Sequence, residues 1–204
     1  ANYGPLKNEI VFPAGILQPP FYNQAYPSSI NYGGIGLVIG HELTHGFDDQ
    51  GSQYDLYGNL NPWWTPSIEE AFENQTRCMS EQYSAYQVEG TTVNGNLTLG
   101  ENIADNGGLR NSYTAYKTTF TSKQQTLPGL DHLTSNQLFF VGFATVWCAS
   151  SRPEEAQRQL LTNPHSPPKY RVIGTVSNSD AFAQEFQCPV GSPMNPEQKC
   201  RVWN

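Results

Sequence analysis

The sequence predicts an α+β fold that is mainly helical and carries a small sheet of edge strands. Three observations support this fold class. Apolar residues recur at steps of three and four along several segments, residues 138–149 are apolar on almost all sides, and proline-containing stretches near the amino terminus show no helical period. The 204 residues contain no internal repeat, low-complexity tract or linker, so we expect one compact unit.

The first elements are predicted to be extended. The segment 11–22 contains three prolines, and the apolar residues of 10–12 and 16–17 flank them. Because proline cannot donate a hydrogen bond within a sheet, these segments predict edge strands. An edge strand can bind the backbone of a peptide.

A helix is predicted from Asn31 to about Asp48, despite Gly33, Gly34, Gly36 and Gly40. Its apolar residues recur at helical steps: Ile35, Val38, Ile39 and Leu43. Each interior glycine costs about 0.5 to 1 kcal/mol relative to alanine. Close packing must offset that cost, so we expect a buried central helix.

Two further helices are predicted on either side of a polar loop. Turn residues fill 55–62, and a helix starts at Thr65-Pro66, with Ser67 and Glu70 in the spacing of a capping box. One stripe of this helix is apolar: Ile68, Phe72, Met79, Tyr83 and Tyr86. After the polar loop 90–100, the next helix begins at Glu101 and continues to residue 120.

The remaining segments predict a surface loop over 121–137, a buried helix over 138–149, a strand over 170–176 and a short helix over 179–187. The tail from 188 onward contains three prolines and no period.

The charge balance argues against nucleic acid as a partner. There are 11 Lys and Arg residues against 18 Asp and Glu residues, a formal net charge of -7, and this charge repels polyanions. No apolar run approaches the roughly 18 to 20 residues of a membrane span. The first residues include neither an initiator methionine nor an apolar signal core, which predicts that upstream sequence has been removed.

The four cysteines lack the C-x-x-C spacing of thiolate metal sites, so they are either disulfide-bonded or isolated thiols. Two glycosylation acceptor sequences, at Asn74 and Asn96, are typical of a secretory protein and favour oxidised cysteines. Asn74 is predicted to point away from the apolar stripe of its helix.

The strongest functional signal is His41-Glu-Leu-Thr-His45, an H-E-x-x-H sequence inside a predicted helix. Residues four apart differ by about 400° around a helix, so both imidazoles project from one face and can bind one zinc ion. Glu42 lies beside that face, where it can reach a water molecule. The alternative is an exposed helix that happens to carry two histidines.

A catalytic zinc normally has a third protein ligand. The metzincin pattern is excluded, because it needs glycine and histidine where this sequence has Asp48 and Gly51. Thermolysin-like sites take a glutamate from a second helix, and Glu101 fits that requirement. The rival ligands occupy one predicted solvated helix face: Glu69, Glu70 and Glu73.

Asp105 follows Glu101 by four residues on the same helical face. It is placed to accept a hydrogen bond from the far ring nitrogen of a zinc-bound histidine, which would fix the orientation of that ring. A solvated helix carboxylate is the other interpretation.

The segments 41–49 and 100–108 resemble the neprilysin and endothelin-converting enzyme family of zinc metallopeptidases. The similarity continues along nearly the whole chain, through 10–18, 31–36, 137–140, 146–148, 165–167 and 200–203. The resemblance implies that residues 1–204 are the carboxyl-terminal part of a thermolysin-like, or gluzincin, catalytic domain. The upstream part of the same ectodomain would then be present as another chain or a missing segment.

The resemblance also implies site residues. Glu101 is the third zinc ligand and Glu42 the general base, while Asp105 matches an aspartate that has been described as a proton donor. His165 would stabilise the oxyanion, and Arg171 would hold a backbone carbonyl of the substrate.

Other residues match the substrate-binding positions of the family. A hydrophobic pocket for the residue after the cleaved bond would be formed by Phe21, Val38, Val146 and Trp147. Ala1 matches the substrate-binding strand, although the leading asparagine of that motif is absent. A disulfide would join Cys78 to Cys200, and Cys148 and Cys188 would pair with upstream cysteines.

The expected function is a zinc-dependent endopeptidase that binds one Zn²⁺ per chain and hydrolyses internal bonds of small peptides on the amino side of hydrophobic residues. The expected location is extracellular, as a secreted protein or as the ectodomain of a membrane-anchored one. One alternative is a catalytically inactive peptide-binding ectodomain with a structural zinc. Another is a purely structural protein that binds neither metal nor peptide.

Overall fold

The computed structural model describes residues 1–119 and 126–203. Within these ranges the chain forms eight α-helices and two small antiparallel sheets of two strands each, which confirms the mainly helical fold class. The helices are α1 (Ser28–Asn31), α2 (Leu37–Thr44), α3 (Pro66–Ser84), α4 (Leu99–Thr118), α5 (Ser135–Val146), α6 (Pro153–Thr162), α7 (Pro168–Ser177) and α8 (Asp180–Glu185). The strands are β1 (Asn2–Gly4), β2 (Glu9–Val11), β3 (Gln87–Val88) and β4 (Thr91–Thr92).

The central helix is one continuous helical stretch. It runs from α1 through a π-helical segment, Tyr32–Gly36, into α2 and ends in a 3₁₀ turn, His45–Phe47. The stretch confirms the helix predicted over 31–48, but it begins three residues earlier. Its glycines permit close contacts, because a Cβ on Gly33 would lie 2.1 Å from the Phe139 carbonyl oxygen. A Cβ on Gly40 would lie 2.8 Å from the Gly108 carbonyl oxygen.

Helix α3 confirms the predicted second helix, but the predicted capping box is wrong. Pro66 occupies the first helical position and fixes the start of the helix there, so Ser67 lies inside it. The Ser67 hydroxyl is instead 3.1 Å from the Thr65 hydroxyl. Of the predicted apolar stripe, Met79 and Tyr83 are fully buried.

Helix α5 confirms the buried helix predicted over 138–149 and begins three residues earlier, at a capping box of Thr134 and Gln137. The main core cluster lies between α5 and its neighbours α2, α4 and α7: Leu37, Leu109, Tyr116, Phe139, Phe140, Phe143 and Val176. Helix α8 confirms the short helix predicted over 179–187. Helix α6 was not predicted, although Pro153 followed by two glutamates is a typical start signal.

The strand predicted over 170–176 is wrong, because these residues belong to α7. Its β-branched and aromatic residues favour a strand locally, but Pro168 at the start of the helix and packing against α3 and α4 override that preference. Gly174 packs against the Tyr83 ring, where a Cβ would lie 2.5 Å from a ring carbon.

Near the amino terminus, β1 pairs with β2 in the register Asn2 to Val11, Tyr3 to Ile10 and Gly4 to Glu9, which confirms one predicted edge strand. The other predicted strand, at 16–17, is wrong. Ala14–Ile16 form a 3₁₀ turn after Pro13, whose fixed backbone angle favours a turn here. The β3–β4 hairpin overlaps the start of the segment predicted as a polar loop, because β4 lies within residues 90–100.

The predicted surface loop over 121–137 lies partly outside the described residues, since 120–125 are not described; the described part, 126–134, precedes α5. A disulfide joins Cys78 to Cys200, as the resemblance implies. Cys148 is exposed and Cys188 half-buried, and both are free thiols within the described ranges. Among the described helices, none combines the length and the apolar character needed to cross a membrane.

Candidate active site

Two histidines of the central helix contribute the first side chains of the site. His41 lies in α2, and His45 follows one turn later where the α-helix passes into the 3₁₀ turn. Their Nε2 atoms are 2.9 Å apart. Both imidazoles therefore project from one face of the helix toward a common point, as the H-E-x-x-H spacing predicts.

Helix α4 brings Glu101 to that point. Glu101 Oε2 lies 3.2 Å from His41 Nε2, and Glu101 Oε1 lies 3.7 Å from His45 Nε2. Helices α2 and α4 can pack this closely because residue 108 is a glycine: a Cβ on Gly108 would lie 2.6 Å from the backbone nitrogen of His41. The predicted meeting of two imidazoles and one carboxylate is thus present in the geometry.

Two aspartates hold the opposite ring nitrogens. His41 Nδ1 is 2.9 Å from Asp105 Oδ1, and His45 Nδ1 is 2.6 Å from Asp48 Oδ2. A carboxylate oxygen accepts hydrogen bonds, so each Nδ1 carries the hydrogen and each Nε2 of the neutral ring keeps a lone pair. Sequence reasoning predicted this contact for Asp105 but missed Asp48, whose signal was its position three residues after His45.

Asp105 is completely buried and is also bound by Arg171. Arg171 Nε donates to Asp105 Oδ2 at 2.7 Å, and Arg171 Nη2 donates to Oδ1 at 2.6 Å. The Arg171 guanidinium carbon lies 3.8 Å from the centre of the Trp147 ring, so the cation stacks on the indole. This pair excludes the interpretation of Asp105 as a solvated carboxylate, and it shows that Arg171 is a buried cation.

His165 approaches Glu101 from the loop before α7. His165 Nε2 lies 3.2 Å from Glu101 Oε2. The Asn163 side-chain oxygen accepts the backbone N–H of His165 at 2.9 Å and lies 2.9 Å from His165 Nδ1. An amide oxygen can only accept, so Nδ1 carries a hydrogen, and Nε2 can donate only when the ring is an imidazolium.

The loop that carries His165 is tied to α4. Ser166, the next residue, donates its hydroxyl to the Asn102 side-chain oxygen at 2.7 Å. Asn102 is completely buried and adjoins Glu101. One hydrogen bond between these neighbours therefore sets the position of His165 relative to Glu101, and sequence reasoning did not predict it.

Glu42 lies beside the histidines and is only 5% exposed. Potential ligand atoms of His41, Glu42 and His45 all lie within 4.8 Å of one another. Glu42 is therefore close enough to either bind a cation directly or act on a molecule held next to one.

These groups line an open cleft with a cavity of about 680 Å³. Its lining includes residues of β1, the central helix, the turn before α4 and the His165 loop: Ala1, Tyr3, His41, Glu42, His45, Asp49, Asn96, Leu97, Glu101 and His165. No lysine or arginine is among the described residues that line it. Titratable side chains at the cleft are therefore carboxylates, imidazoles and the Tyr3 phenol.

The four residues assigned by resemblance to a hydrophobic pocket do not line this cavity. Val146 and Trp147 are partly buried and pack against the main core cluster, Val38 is buried in α2, and the Phe21 carbonyl accepts the backbone N–H of Ile35. Trp147 contacts the site through its stacking on Arg171. Their role in a pocket stays a prediction.

Burial and charge together shift the pKa values of these groups. Burial disfavours the imidazolium of His41, but the contacts to Asp105 and Glu101 outweigh it and raise the pKa of His41 to about 9. Burial acts against ionisation of Asp105, yet the neighbouring Arg171 charge and the His41 hydrogen bond hold its pKa below the ordinary value. Burial lowers the pKa of His165.

The donor set fits a zinc ion. With both Nδ1 atoms bound to carboxylates, two Nε2 lone pairs would face each other unless a proton or a cation lies between them. Glu101 Oε2 is buried and has no aligned hydrogen-bond donor among the described residues. Ligands of a tetrahedral zinc lie about 3.3 Å from one another, close to the 3.2 Å between His41 Nε2 and Glu101 Oε2.

The chain is similar to known proteins over its whole length. The family model described as Peptidase family M13 matches residues 1–202. The chain is 60% identical over its whole length to endothelin-converting enzyme 1 of Mus musculus and 55% identical to an endothelin-converting enzyme homolog of Locusta migratoria, of which it covers 26% and 28%. It therefore spans about a quarter of the length of these curated relatives.

A crystal structure of the Mycobacterium tuberculosis zinc metalloprotease ZMP1 in complex with an inhibitor superimposes with a TM-score of 0.93 at 44% identity. The match covers the whole of this chain and 32% of that one. The agreement confirms the expected zinc-peptidase fold. On the matched length, the identity and the shared fold, the chain belongs to peptidase family M13, a family of zinc metallopeptidases that includes the endothelin-converting enzymes.

Proposed function

We propose that this chain carries the catalytic centre of a zinc-dependent endopeptidase that hydrolyses internal bonds of small peptides. The single observation that carries the proposal is the convergence of His41, His45 and Glu101 beside Glu42 in an open cleft. A purely structural zinc site would need neither the extra carboxylate nor the cleft.

His41, His45 and Glu101 would hold one Zn²⁺ per chain. When bound, zinc supplies Lewis-acid chemistry that polarises a carbonyl and lowers the pKa of water toward about 7. Asp105 and Asp48 keep the two imidazoles in the tautomer that directs the Nε2 lone pairs at the ion.

Glu42 is the proposed general base. Its carboxylate lies in the cleft beside both histidines, where it would accept a proton from the attacking water. It would then pass this proton to the leaving amine. Asp105 is already occupied by His41 and Arg171, so its contacts support an orienting role and not proton donation.

His165 is proposed to stabilise the negative charge that develops on the carbonyl oxygen. Asn163 accepts the hydrogen on Nδ1, so His165 would donate through Nε2 as an imidazolium. Burial lowers the pKa of His165, and the nearby Glu101 carboxylate acts in the opposite direction. Removal of one such donor typically costs on the order of 10² to 10³ in rate. Arg171 uses Nε and Nη2 on Asp105 and is not among the described residues that line the cleft, so a contact between Arg171 and a backbone carbonyl of the substrate is proposed on the resemblance alone.

The peptide is proposed to lie along β1. Ala1, Asn2 and Tyr3 line the cleft, and in its two-stranded sheet β1 pairs with β2 on one side. The other edge can accept an extended peptide as an added strand. Cleavage on the amino side of hydrophobic residues is part of the proposal and rests on the resemblance of Phe21, Val38, Val146 and Trp147 to pocket positions.

An extracellular location is proposed, as a secreted protein or an anchored ectodomain. The Cys78–Cys200 disulfide and two sequons support an oxidising secretory compartment. Since relatives extend well beyond the matched region, the upstream part of the same ectodomain is the proposed partner of this chain.

The test compares the full-length protein with Glu42→Gln, and with Glu70→Gln on the exposed face of α3 as the matched control. Zinc content and turnover of an internally quenched peptide are both measured. We expect Glu42→Gln to retain zinc and to lose about 10² to 10⁴-fold in kcat, with the control unchanged. Retained zinc with unchanged activity would contradict the role of Glu42. Zinc binding without turnover in the wild type would favour an inactive peptide-binding ectodomain.

A further inference from the structure

The two sequons lie in different places relative to the cleft. Asn74 is exposed on α3 and does not line the cleft, whereas Asn96 is exposed in the turn before α4 and lines it together with Leu97. The zinc-ligand candidate Glu101 follows Asn96 by five residues. A modification of Asn96 is therefore a modification of the cleft rim.

The Asn96 side chain is held in one orientation. Ser80 of α3 donates its hydroxyl to the Asn96 side-chain oxygen. The acceptor oxygen is thereby used, and Asn96 as a whole remains exposed, as attachment of a glycan to its Nδ2 atom requires.

The rest of this sequon anchors the turn. Thr98 is only 3% exposed and donates its hydroxyl to the Asn94 carbonyl at 3.1 Å. The same hydroxyl accepts a hydrogen bond from buried Asn102 at 2.9 Å. The turn that carries Asn96 is thus bound to Asn102, which also positions the His165 loop. The attachment point of a glycan on Asn96 would therefore be held in place close to the proposed reacting groups.

We propose that Asn96 carries a glycan that determines specificity by limiting the length of peptide that enters the cleft. The inference rests on the proposed peptidase function and on secretory synthesis. A glycan is bulky and solvated, and it would occupy the rim next to Leu97. A peptide of about six residues spans roughly 20 Å when extended, and a much longer peptide would extend farther and is more exposed to a bulky group at the rim.

The experiment uses the full-length secreted protein and two variants, Asn96→Gln and Asn74→Gln, which remove one sequon each. Peptide mass spectrometry measures occupancy at both asparagines. The ratio kcat/KM is measured for two quenched peptides that share the same cleavage sequence, one of about six residues and one of about twenty. Enzymatic trimming of glycans on the folded wild type provides a second comparison that alters no side chain.

We expect Asn96 to be occupied, and both Asn96→Gln and trimming to raise kcat/KM for the long peptide by about threefold or more. The short peptide should stay within about twofold, and Asn74→Gln should change neither value. An unoccupied Asn96, or equal effects on both peptides, would overturn the inference while leaving the peptidase function intact. Failure of the wild type to cleave even the short peptide would instead count against the function proposed above.

Discussion

Asp105 Oδ1 lies 2.9 Å from His41 Nδ1, although the two residues are 64 positions apart in the sequence. The same carboxylate is bound by Arg171 through two N–H groups. One fully buried anion therefore orients a proposed zinc ligand and neutralises a buried cation at the same time.

Removal of the Asp105 charge is predicted to destabilise the fold. Asp105→Asn leaves the Arg171 guanidinium buried without a charged partner, and breaking such a pair costs about 3 to 5 kcal/mol. Arg171→Met in the same background removes the stranded charge, so the double variant should recover part of that loss. The measurement is the free energy of unfolding by urea for the wild type, both single variants and the double variant. Additive single effects would contradict coupling between the two residues.

The same pair predicts a pH dependence. The folded pKa of Asp105 is lowered, below the value of about 3.9 for an unfolded aspartate. The stabilisation that the Asp105 carboxylate contributes is then complete above about pH 5 and declines as the pH falls below that value. The difference in unfolding free energy between wild type and Asp105→Asn should narrow from pH 5 to pH 2, and a difference that widened would contradict this sign.

Asp48 is predicted to strengthen zinc binding without entering the coordination sphere. Asp48→Asn removes the negative charge at His45 Nδ1, and loss of such a partner typically costs about 10- to 100-fold in metal affinity. The measurement is zinc transfer to a chromophoric chelator. Asp131→Asn, at an exposed site that does not line the cleft, is the control. Equal zinc affinities in the two variants would show that Asp48 does not support zinc binding.

Asn163 is predicted to position the His165 ring. Asn163→Ala removes the acceptor for Nδ1 and for the backbone N–H of His165. We expect kcat to fall about tenfold with KM within about twofold, because the interaction lost acts on the transition state. Asn163→Asp keeps an acceptor and should retain activity, and Thr162→Ala, next to it on α6, should have no effect. A rise in KM alone would indicate a role in substrate binding instead.

Gly40 is predicted to set the distance between α2 and α4. A Cβ there would lie 2.8 Å from the Gly108 carbonyl oxygen, so Gly40→Ala must separate the helices that carry His41 and Glu101. Such overpacking typically costs about 1 to 3 kcal/mol. Gly15→Ala is the matched control, because a Cβ on Gly15 has no neighbour within 4 Å. Thermal unfolding and zinc affinity are measured on both, and a Gly40→Ala variant as stable as the control would contradict the packing argument.

Patterns within one helix were predicted most reliably from the sequence. The spacing of His41 and His45 places both rings on one face, because helical geometry is local. The glycines of the central helix predicted close packing, and Gly33 and Gly40 meet α5 and α4. The local strand preference of residues 170–176 led to a wrong prediction, because packing against α3 and α4 stabilises a helix there.

By itself the sequence determined the helical core, the histidine pair and the choice of Glu101 as its companion. Only the tertiary structure decided that Asp48 holds His45, that Arg171 is bound to Asp105, and that Asn102 anchors the His165 loop. The physical reason is that periodicity records which side of an element is buried, whereas a hydrogen bond between distant residues depends on how whole helices pack. Packing of α4 across the glycines of α2 brings those partners within reach of one another.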